Sequence, residues 1–430
     1  MASHVRSLVA AAAAQLQCST PDLGWDVLET RRAGFADHLN MVAAGAVAVG
    51  LKNPHAHRYS NILPWDRSLV TLTSGAYINA SWVKLPKFTS RPLILAQGPM
   101  RPEFYGTDTA AEFWEMVLET GACVIVNLAK VQHGFSGCSR YWPSTVGVHE
   151  VFERPRDRSA TARDAQRGQL VVTVEAEHEV FPGLTRRRVR VGTSTSPSET
   201  DHVCHHLHFE RWPNYEVATA LHETLVLIDE VMAASAGSRG AFAATTKGGG
   251  DSTCMDCRSR GDDATPASAS GGETVADTGA GGGAGAGNAA NSEGGCACGD
   301  AGASVRGAKT GASKSAAPIV VHCSGGVGRS GTFATALVVV DWALRMAGVA
   351  CEMDDASHPA AKAAPTATSA LPVAEIVQCI RDQRHPWCVE SQEQYHFCWR
   401  LIVQALVDKL SKAASEGGAA SSAATEPSHS

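Results

Sequence analysis

Between residues 243 and 332 this chain has no Phe, Tyr or Trp, although the whole sequence contains 9 Trp, 6 Tyr and 11 Phe. Within residues 248–304, 34 of 57 positions are Gly, Ala or Ser. A stretch like this cannot bury enough apolar surface to offset the entropy of ordering it. The sequence therefore predicts a low-complexity disordered insert over 235–316, a second biased stretch over 351–371 and a disordered tail over 411–430. Residues 1–20 read as an N-terminal extension. The remainder, 21–410, suits one large domain interrupted twice, although a length of 430 residues by itself suggests two or three.

Bulk chemistry narrows the function. The net charge of −6 excludes a globally basic nucleic-acid binder, so no nucleic-acid partner is expected. No run of 18 apolar residues occurs, and no membrane span is predicted. The 13 cysteines are odd in number and irregular in spacing, which reads as reduced thiols in a cytoplasmic protein. Met1–Gln17 carries Arg6 and the run Ala10–Ala14, with no acid before Asp22. This composition suits a targeting segment or a short alanine-rich helix, and the absence of a cleavage context favours the helix.

Elsewhere the pattern is mixed. Leu170–Glu175 and Arg187–Val191 read as strands, and His202–Trp212 alternates with Val203, His205, Leu207 and Phe209 on one side. Val217, Leu221, Leu225, Ile228 and Met232 recur at helical spacing, which predicts a helix over 216–233. Pro318–Val321 is a short apolar strand, followed by a glycine-rich turn and an apolar helix over Thr332–Met346. Val373–Arg381 and Gln392–Leu410 read as further helices. These elements indicate an α/β (α+β) domain around a mixed sheet.

The chemistry concentrates in one segment, Ile319-Val320-Val321-His322-Cys323-Ser324-Gly325-Gly326-Val327-Gly328-Arg329-Ser330-Gly331-Thr332. A compact loop entering a helix turns successive backbone N–H groups inward and makes an anion nest. Arg329, six residues after Cys323, can fold over the same space and clamp a phosphate through two hydrogen bonds. The same positive field depresses the Cys323 thiol, and His322 and the Ser330 hydroxyl add polar support. A thiolate beneath a bound phosphoryl group is placed for in-line attack and a cysteinyl-phosphate intermediate. A dinucleotide-binding loop would leave the cysteine and arginine without a role.

This segment resembles the signature loop of the cysteine-dependent protein tyrosine phosphatases, His-Cys-x5-Arg-Ser. Further motifs follow in family order: His57–Asp66 resembles the phosphotyrosine-recognition loop, and Tyr77-Ile78-Asn79-Ala80-Ser81 the following strand. Gln97-Gly98-Pro99, Phe113–Val117, Tyr141-Trp142-Pro143 and Arg381–Tyr395 are similar to family motifs as well. The resemblance spans roughly residues 30 to 405 and points to the classical, phosphotyrosine-specific branch. It implies a single domain with a central mixed, highly twisted sheet flanked by helices, no cofactor, no metal, and phosphotyrosine-containing proteins as partners. It assigns Cys323 as nucleophile, Arg329 as phosphate clamp and Ser330 as support. Ser324, Gly325, Gly326, Val327 and Gly328 become the cradle, Tyr59 the wall stacking on the substrate ring, and Asn61 the residue holding the peptide backbone.

The pattern departs from the family where the acid–base chemistry sits. The mobile loop that carries Trp-Pro-Asp in the family reads Trp212-Pro213-Asn214, and an amide cannot donate a proton. Loss of a general acid costs about 10² to 10⁴ in rate. The water-orienting glutamine aligns with Glu390, while the second glutamine is Gln394; both belong to the expected substrate site. The family glutamate that orients the signature arginine and the lysine that meets the acid loop read Gln132 and Gly137. Glu216, two residues past Asn214, reads as a helix-start glutamate. Cys254, Cys257, Cys296 and Cys298 lack the spacing and apolar support of a zinc site, and His202, His205, His206 and His208 read as core and surface histidines. The expectation is phosphotyrosine hydrolysis, slowed by Asn214; the alternative is a pseudophosphatase or substrate-trapping module.

Overall fold

The computed structural model describes residues 2–18, 23–33, 38–132, 137–153, 168–194, 201–213, 217–218, 221–244, 316–349 and 370–423. Its frame is one eight-stranded mixed sheet. The strands are β1 (Ala80–Val83), β2 (Leu93–Ala96), β3 (Val124–Asn127), β4 (His149–Phe152), β5 (Leu170–Phe181), β6 (Leu184–Thr193), β7 (His202–Phe209) and β8 (Ile319–His322). Their order is β1-β2-β8-β3-β7-β6-β5-β4. The central four, β2, β8, β3 and β7, run parallel, while the flanking pairs are antiparallel. β8 carries Ile319, Val320 and Val321 and is buried on both faces, as a central parallel strand must be.

The two-residue period of these strands divides the core. Leu93, Leu95, Val124, Val126, Ile319 and Val321 face one hydrophobic cluster, and Ile94, Ala96, Ile125 and Val320 face the other. The first cluster is covered by α4 (Leu221–Ala244), α5 (Gly328–Ala347), α6 (Val373–Gln383) and α7 (Gln392–Ala423). The second is covered by α3 (Ala110–Thr120), through Phe113, Trp114, Met116 and Val117. α5 leaves directly from the signature loop and is buried over nearly its whole length. Each buried Leu, Val or Phe on it contributes about 1.5–3 kcal/mol. The loop between β8 and α5 is therefore anchored at both ends by rigid core elements.

Several boundaries differ from the sequence reading. The N-terminal segment is helical, as its alanine-rich composition favours, and α1 (Ala2–Leu16) buries Val5, Leu8 and Val9 in the same cluster as α5 and α7. A further helix, α2 (Trp25–Ala33), follows it. α4 begins at Leu221, not at 216, and runs to Ala244, past the boundary drawn at 235. Ser235 is fully buried, and its carbonyl accepts from Arg91 Nη2 at 3.3 Å. α7 continues from Leu410 to Ala423, through residues assigned to a disordered tail. On β7 the expected face holds buried Leu207 and Phe209, but the opposite face is buried as well, with Cys204, His206 and His208. The rest of the two predicted inserts, apart from 316 and 370–371, lies outside the described residues, as do Cys254, Cys257, Cys296, Cys298 and residues 424–430.

Glu112, in the first turn of α3, has a buried carboxylate oxygen with no hydrogen-bond partner. Burial, with smaller contributions from Asp108 and Glu115, lifts its pKa from 4.5 to about 7. A carboxyl raised on folding stabilises the native state fully at acid pH, and that contribution disappears as pH rises through about 7. The difference corresponds to roughly 3 kcal/mol. Glu112→Gln is expected to narrow the gap in unfolding free energy between pH 5 and pH 8, measured by denaturant titration on both proteins. An unchanged gap would show that the carboxyl is already hydrated in the native state.

Candidate active site

β8 delivers Cys323 at its carboxyl end, and α5 begins five residues later at Gly328. What shapes the loop is the disposal of its carbonyls. The Ser324 carbonyl accepts from Gly98 N–H at 2.9 Å. The Gly325 and Gly326 carbonyls accept from Arg384 Nη2 and Nε, both at 3.1 Å. With three successive carbonyls held outside, the N–H ends of their peptide units turn toward the sulfur, and Gly326 N–H donates to Cys323 Sγ at 3.2 Å. Gly326 has φ +73°, and a Cβ there would lie 2.1 Å from the Ala96 carbonyl oxygen. Gly98 is held just as closely, since a Cβ would lie 2.5 Å from the Cys323 carbonyl.

Cys323 is buried, and burial is the largest single influence on its thiol, acting to raise it. The Arg329 charge, the Ser330 hydroxyl and N–H and the Gly326 N–H together outweigh this and hold the thiol below its ordinary value of 9.0. Elsewhere burial wins: Cys398, acted on by burial alone, is pushed well up, and Cys138 and Cys388, each with one hydrogen-bond donor and two arginine charges nearby, still stand at about 11 and about 12. The Ser330 hydroxyl is buried and has no nitrogen or oxygen partner, which leaves it available to the sulfur. His322 is neutral, because burial takes it down to about 3. Its Nδ1–H donates to the Cys323 carbonyl at 3.1 Å, so its Nε2 accepts from Tyr141 Oη at 2.7 Å. His206 Nε2–H then donates to Tyr141 Oη at 2.9 Å. His322 thus orients the backbone at the nucleophile and adds no charge to it.

Arg329 is buried and spans two segments: its Nη1 donates to the carbonyls of Leu128, after β3, and Trp212, after β7, each at 3.0 Å. The guanidinium is thereby coupled to the loop that carries Asn214. Asn214 and Glu216 themselves lie outside the described residues. On the other side, Tyr59 Oη lies 2.9 Å from Ser324 Oγ, and its ring edge would lie 3.3 Å from a Cβ on Gly325. Tyr59 therefore stands as a wall beside the cradle. Its segment is fixed by Arg58, which donates to the carbonyls of Gly98 and Pro99 and stacks over the Tyr105 ring with 4.4 Å to its centroid. Asn61 is exposed, and its carbonyl accepts from His385 Nε2 at 3.2 Å. Val327 precedes the first turn of α5, and Gly328 opens it.

Glu390 and Gln394 meet over that turn. A Cβ on Gly328 would lie 2.7 Å from Glu390 Oε2 and 3.1 Å from both polar atoms of the Gln394 amide. The Glu390 N–H donates to Gln394 Oε1 at 2.9 Å. Burial raises the Glu390 carboxyl above the usual range, and the charges of Arg32 and Arg329 partly oppose it. Gln132 packs against Gly137, where a Cβ would lie 2.3 Å from its Cγ.

Sequence reasoning passed over Arg384, Arg381 and Tyr141 as functional residues. The Arg-x-x-Arg spacing one helical turn apart, just before Glu390, was the available signal, since both arginines are buried and bind loop carbonyls.

A buried thiol held below its ordinary range, a backbone N–H turned toward its sulfur and a buried arginine thus meet at the carboxyl end of a central parallel strand, an arrangement able to receive an oxyanion. The chain belongs to the protein-tyrosine phosphatase family, whose model matches residues 53–258 and 302–404. It is 24% identical over 358 residues to the tyrosine-protein phosphatase non-receptor type 13 of Mus musculus, covering 83% of this chain and 10% of that protein. It therefore spans about a tenth of that relative's length. It is 25% identical over 407 residues to the tyrosine phosphatase H3 of Microplitis demolitor bracovirus (isolate Webb), covering 89% of this chain and 90% of that protein. Over a shorter region it is 30% identical to the receptor-type tyrosine-protein phosphatase eta of Gallus gallus, covering 43% of this chain and 12% of that protein. Among the described residues no helix is long and apolar enough to cross a membrane.

Replacing Arg384 by Lys keeps a charge but cannot bridge two successive carbonyls. Arg384→Lys is expected to bind tungstate, a phosphate-shaped oxyanion, at least about tenfold more weakly by calorimetric titration, or ~1.4 kcal/mol. Unchanged affinity would mean that the loop holds its shape without this fork.

Proposed function

We propose that this protein hydrolyses phosphotyrosine on cytoplasmic proteins through a cysteinyl-phosphate intermediate, without a cofactor. The observation that carries the reading is Cys323 held below its ordinary thiol range by Arg329, Ser330 and Gly326 at the floor of a nest of backbone donors. In the first step the Cys323 thiolate attacks phosphorus, the bond to the tyrosine oxygen breaks, and the phenolate leaves with the electron pair. Backbone N–H groups from Ser324 to Gly328 and the Arg329 guanidinium bind the phosphoryl oxygens. Tyr59 lines the approach and favours an aromatic phosphoester, and Asn61 lies at the rim where the peptide backbone would run. In the second step water attacks phosphorus and Cys323 leaves as thiolate.

Asn214 cannot protonate the departing phenolate, so the first step relies on the cradle alone and turnover is slow. This also supports a second reading, a substrate trap that binds phosphotyrosine proteins and releases them slowly. Hydrolysis of a phosphotyrosyl peptide is expected for the wild type and to be abolished in Cys323→Ser; equal rates in the two would remove the reading. Asn214→Asp is expected to raise turnover by roughly 10² to 10⁴. Tight phosphopeptide binding by wild type without a pre-steady-state burst would favour the trap.

A further inference from the structure

The segment before α7 is built with unusual care for a loop. Val389 has φ +57°, the only non-glycine residue with positive φ among the described residues, and a β-branched side chain is poorly suited to that region. Its conformation is imposed from outside. Arg381 donates to the Cys388 carbonyl through Nε at 2.9 Å and to the Val389 carbonyl through Nη2 at 3.0 Å. The next residue, Glu390, is fixed at both ends: its N–H donates to Gln394 Oε1 at 2.9 Å, and its carbonyl accepts from Arg32 Nη1 at 2.8 Å. A strained residue followed by a doubly anchored one directs a side chain, and this one directs the Glu390 carboxylate to the first turn of α5, over Gly328. That is the mouth of the cradle whose floor is Cys323.

Building on the phosphatase reading above, we infer that Glu390 is the general base of the second step, taking a proton from the water that attacks the cysteinyl phosphate. The balance is complete. The water oxygen forms a bond to phosphorus, the phosphorus–sulfur bond breaks, and its electron pair returns to Cys323 as thiolate. The water proton passes to Glu390, inorganic phosphate departs, and the carboxyl releases its proton to solvent. The charges that face Glu390 are Arg32 of α2, itself paired with Glu29, and Arg329 of α5; Gln394 of α7 is neutral.

Charge decides which step a carboxylate at this place can serve. In the first step it faces a phosphate dianion above a thiolate. Once sulfur is phosphorylated the thiolate charge is gone, and the repulsion on Glu390 falls by one unit of charge. With Asn214 unable to accept a proton, a carboxylate beside Gln394 does for water what the amide pair alone cannot. A carboxyl lifted by burial gives up its proton at higher pH than an ordinary glutamate, so turnover limited by this step rises with pH over a range displaced upward from the ordinary one.

The test is rapid-mixing kinetics with p-nitrophenyl phosphate on wild type, Glu390→Gln and Cys323→Ser. Wild type is expected to show a burst of nitrophenol near one per active site followed by slow turnover. Glu390→Gln is expected to keep the burst amplitude, with a burst rate at or above that of wild type as the repulsion on the dianion is removed, and to lose about tenfold or more of the steady rate. It is also expected to lose the rising limb of the turnover–pH profile and to accumulate phosphorylated Cys323 in acid-quenched samples. Turnover in Glu390→Gln equal to or above wild type would overturn the role and leave Glu390 as a source of repulsion only. A burst slowed as much as turnover would make Glu390 the acid of the first step, which also overturns it. Nitrophenol release by wild type no faster than by Cys323→Ser would remove the phosphatase reading itself, whereas steady release without a burst would keep that reading and overturn the second step as the limiting one. Should Glu390→Gln lose cooperative melting, Glu390→Asp supplies the comparison, with a full burst and intermediate turnover expected.

Discussion

A thiol in a protein interior resists ionisation, because the sulfur anion loses its hydration and nothing apolar replaces it. Cys138 and Cys388 obey that rule, and both stand well above an ordinary thiol. Cys323 is buried equally and goes the other way. The difference is that three hydrogen bonds, from the Ser330 hydroxyl and N–H and the Gly326 N–H, join the Arg329 charge at one sulfur, and much of the surrounding architecture serves to hold that loop in place. The loop can present its N–H groups inward only while its carbonyls are occupied outside, and Gly98 and Arg384 occupy them. Arg384 is itself a buried charge, tolerated because it is satisfied by those carbonyls. The signature cysteine therefore depends on an arginine more than sixty residues further along the chain.

The same economy extends to Arg381 and Arg32, which hold the backbone around Val389 and Glu390. Buried Arg384 shapes the anion cradle, and buried Arg381 with half-buried Arg32 shapes its rim. Arg329 bridges the two functions, since it adjoins the nucleophile and also grips the carbonyls of Leu128 and Trp212. A change in the loop beyond Trp212 is thus transmitted to the guanidinium through a single hydrogen bond.

Much of this was legible in the sequence. The spacing from Cys323 to Arg329 constrains a loop so tightly that strand, turn and helix followed from it, and β8 and α5 flank it as expected. Helix limits were less legible. The far ends of α4 and α7 consist mostly of Ala, Gly and Ser, which carry no apolar period, and alanine's high helix propensity is silent in a pattern of hydrophobic spacing. On β7 the histidines read as a mixture of core and surface residues, and the structure puts His206 and His208 in the core, where Tyr141 and the Ala129 carbonyl give them partners. Arg381 and Arg384 were legible only as part of a motif resembling the family's, without the carbonyls they bind. Nothing in the letters marks Val389 as left-handed, because that conformation is imposed by carbonyl bonds from distant side chains.

The position of β8 between β2 and β3 has a consequence for synthesis. β2 and β3 are both made early, by residue 127, and each keeps one unsatisfied edge until residues 319–322 emerge. Nearly two hundred residues separate the two events, about 10–40 s at ribosomal rates. During that interval the nascent chain carries two open parallel edges, the kind of surface that recruits chaperones or mispairs. The strand that closes the gap is the one that leads into Cys323. The sheet is therefore completed before Arg384, which holds the loop carbonyls, has been made, and the cradle takes its shape only after the sheet has closed.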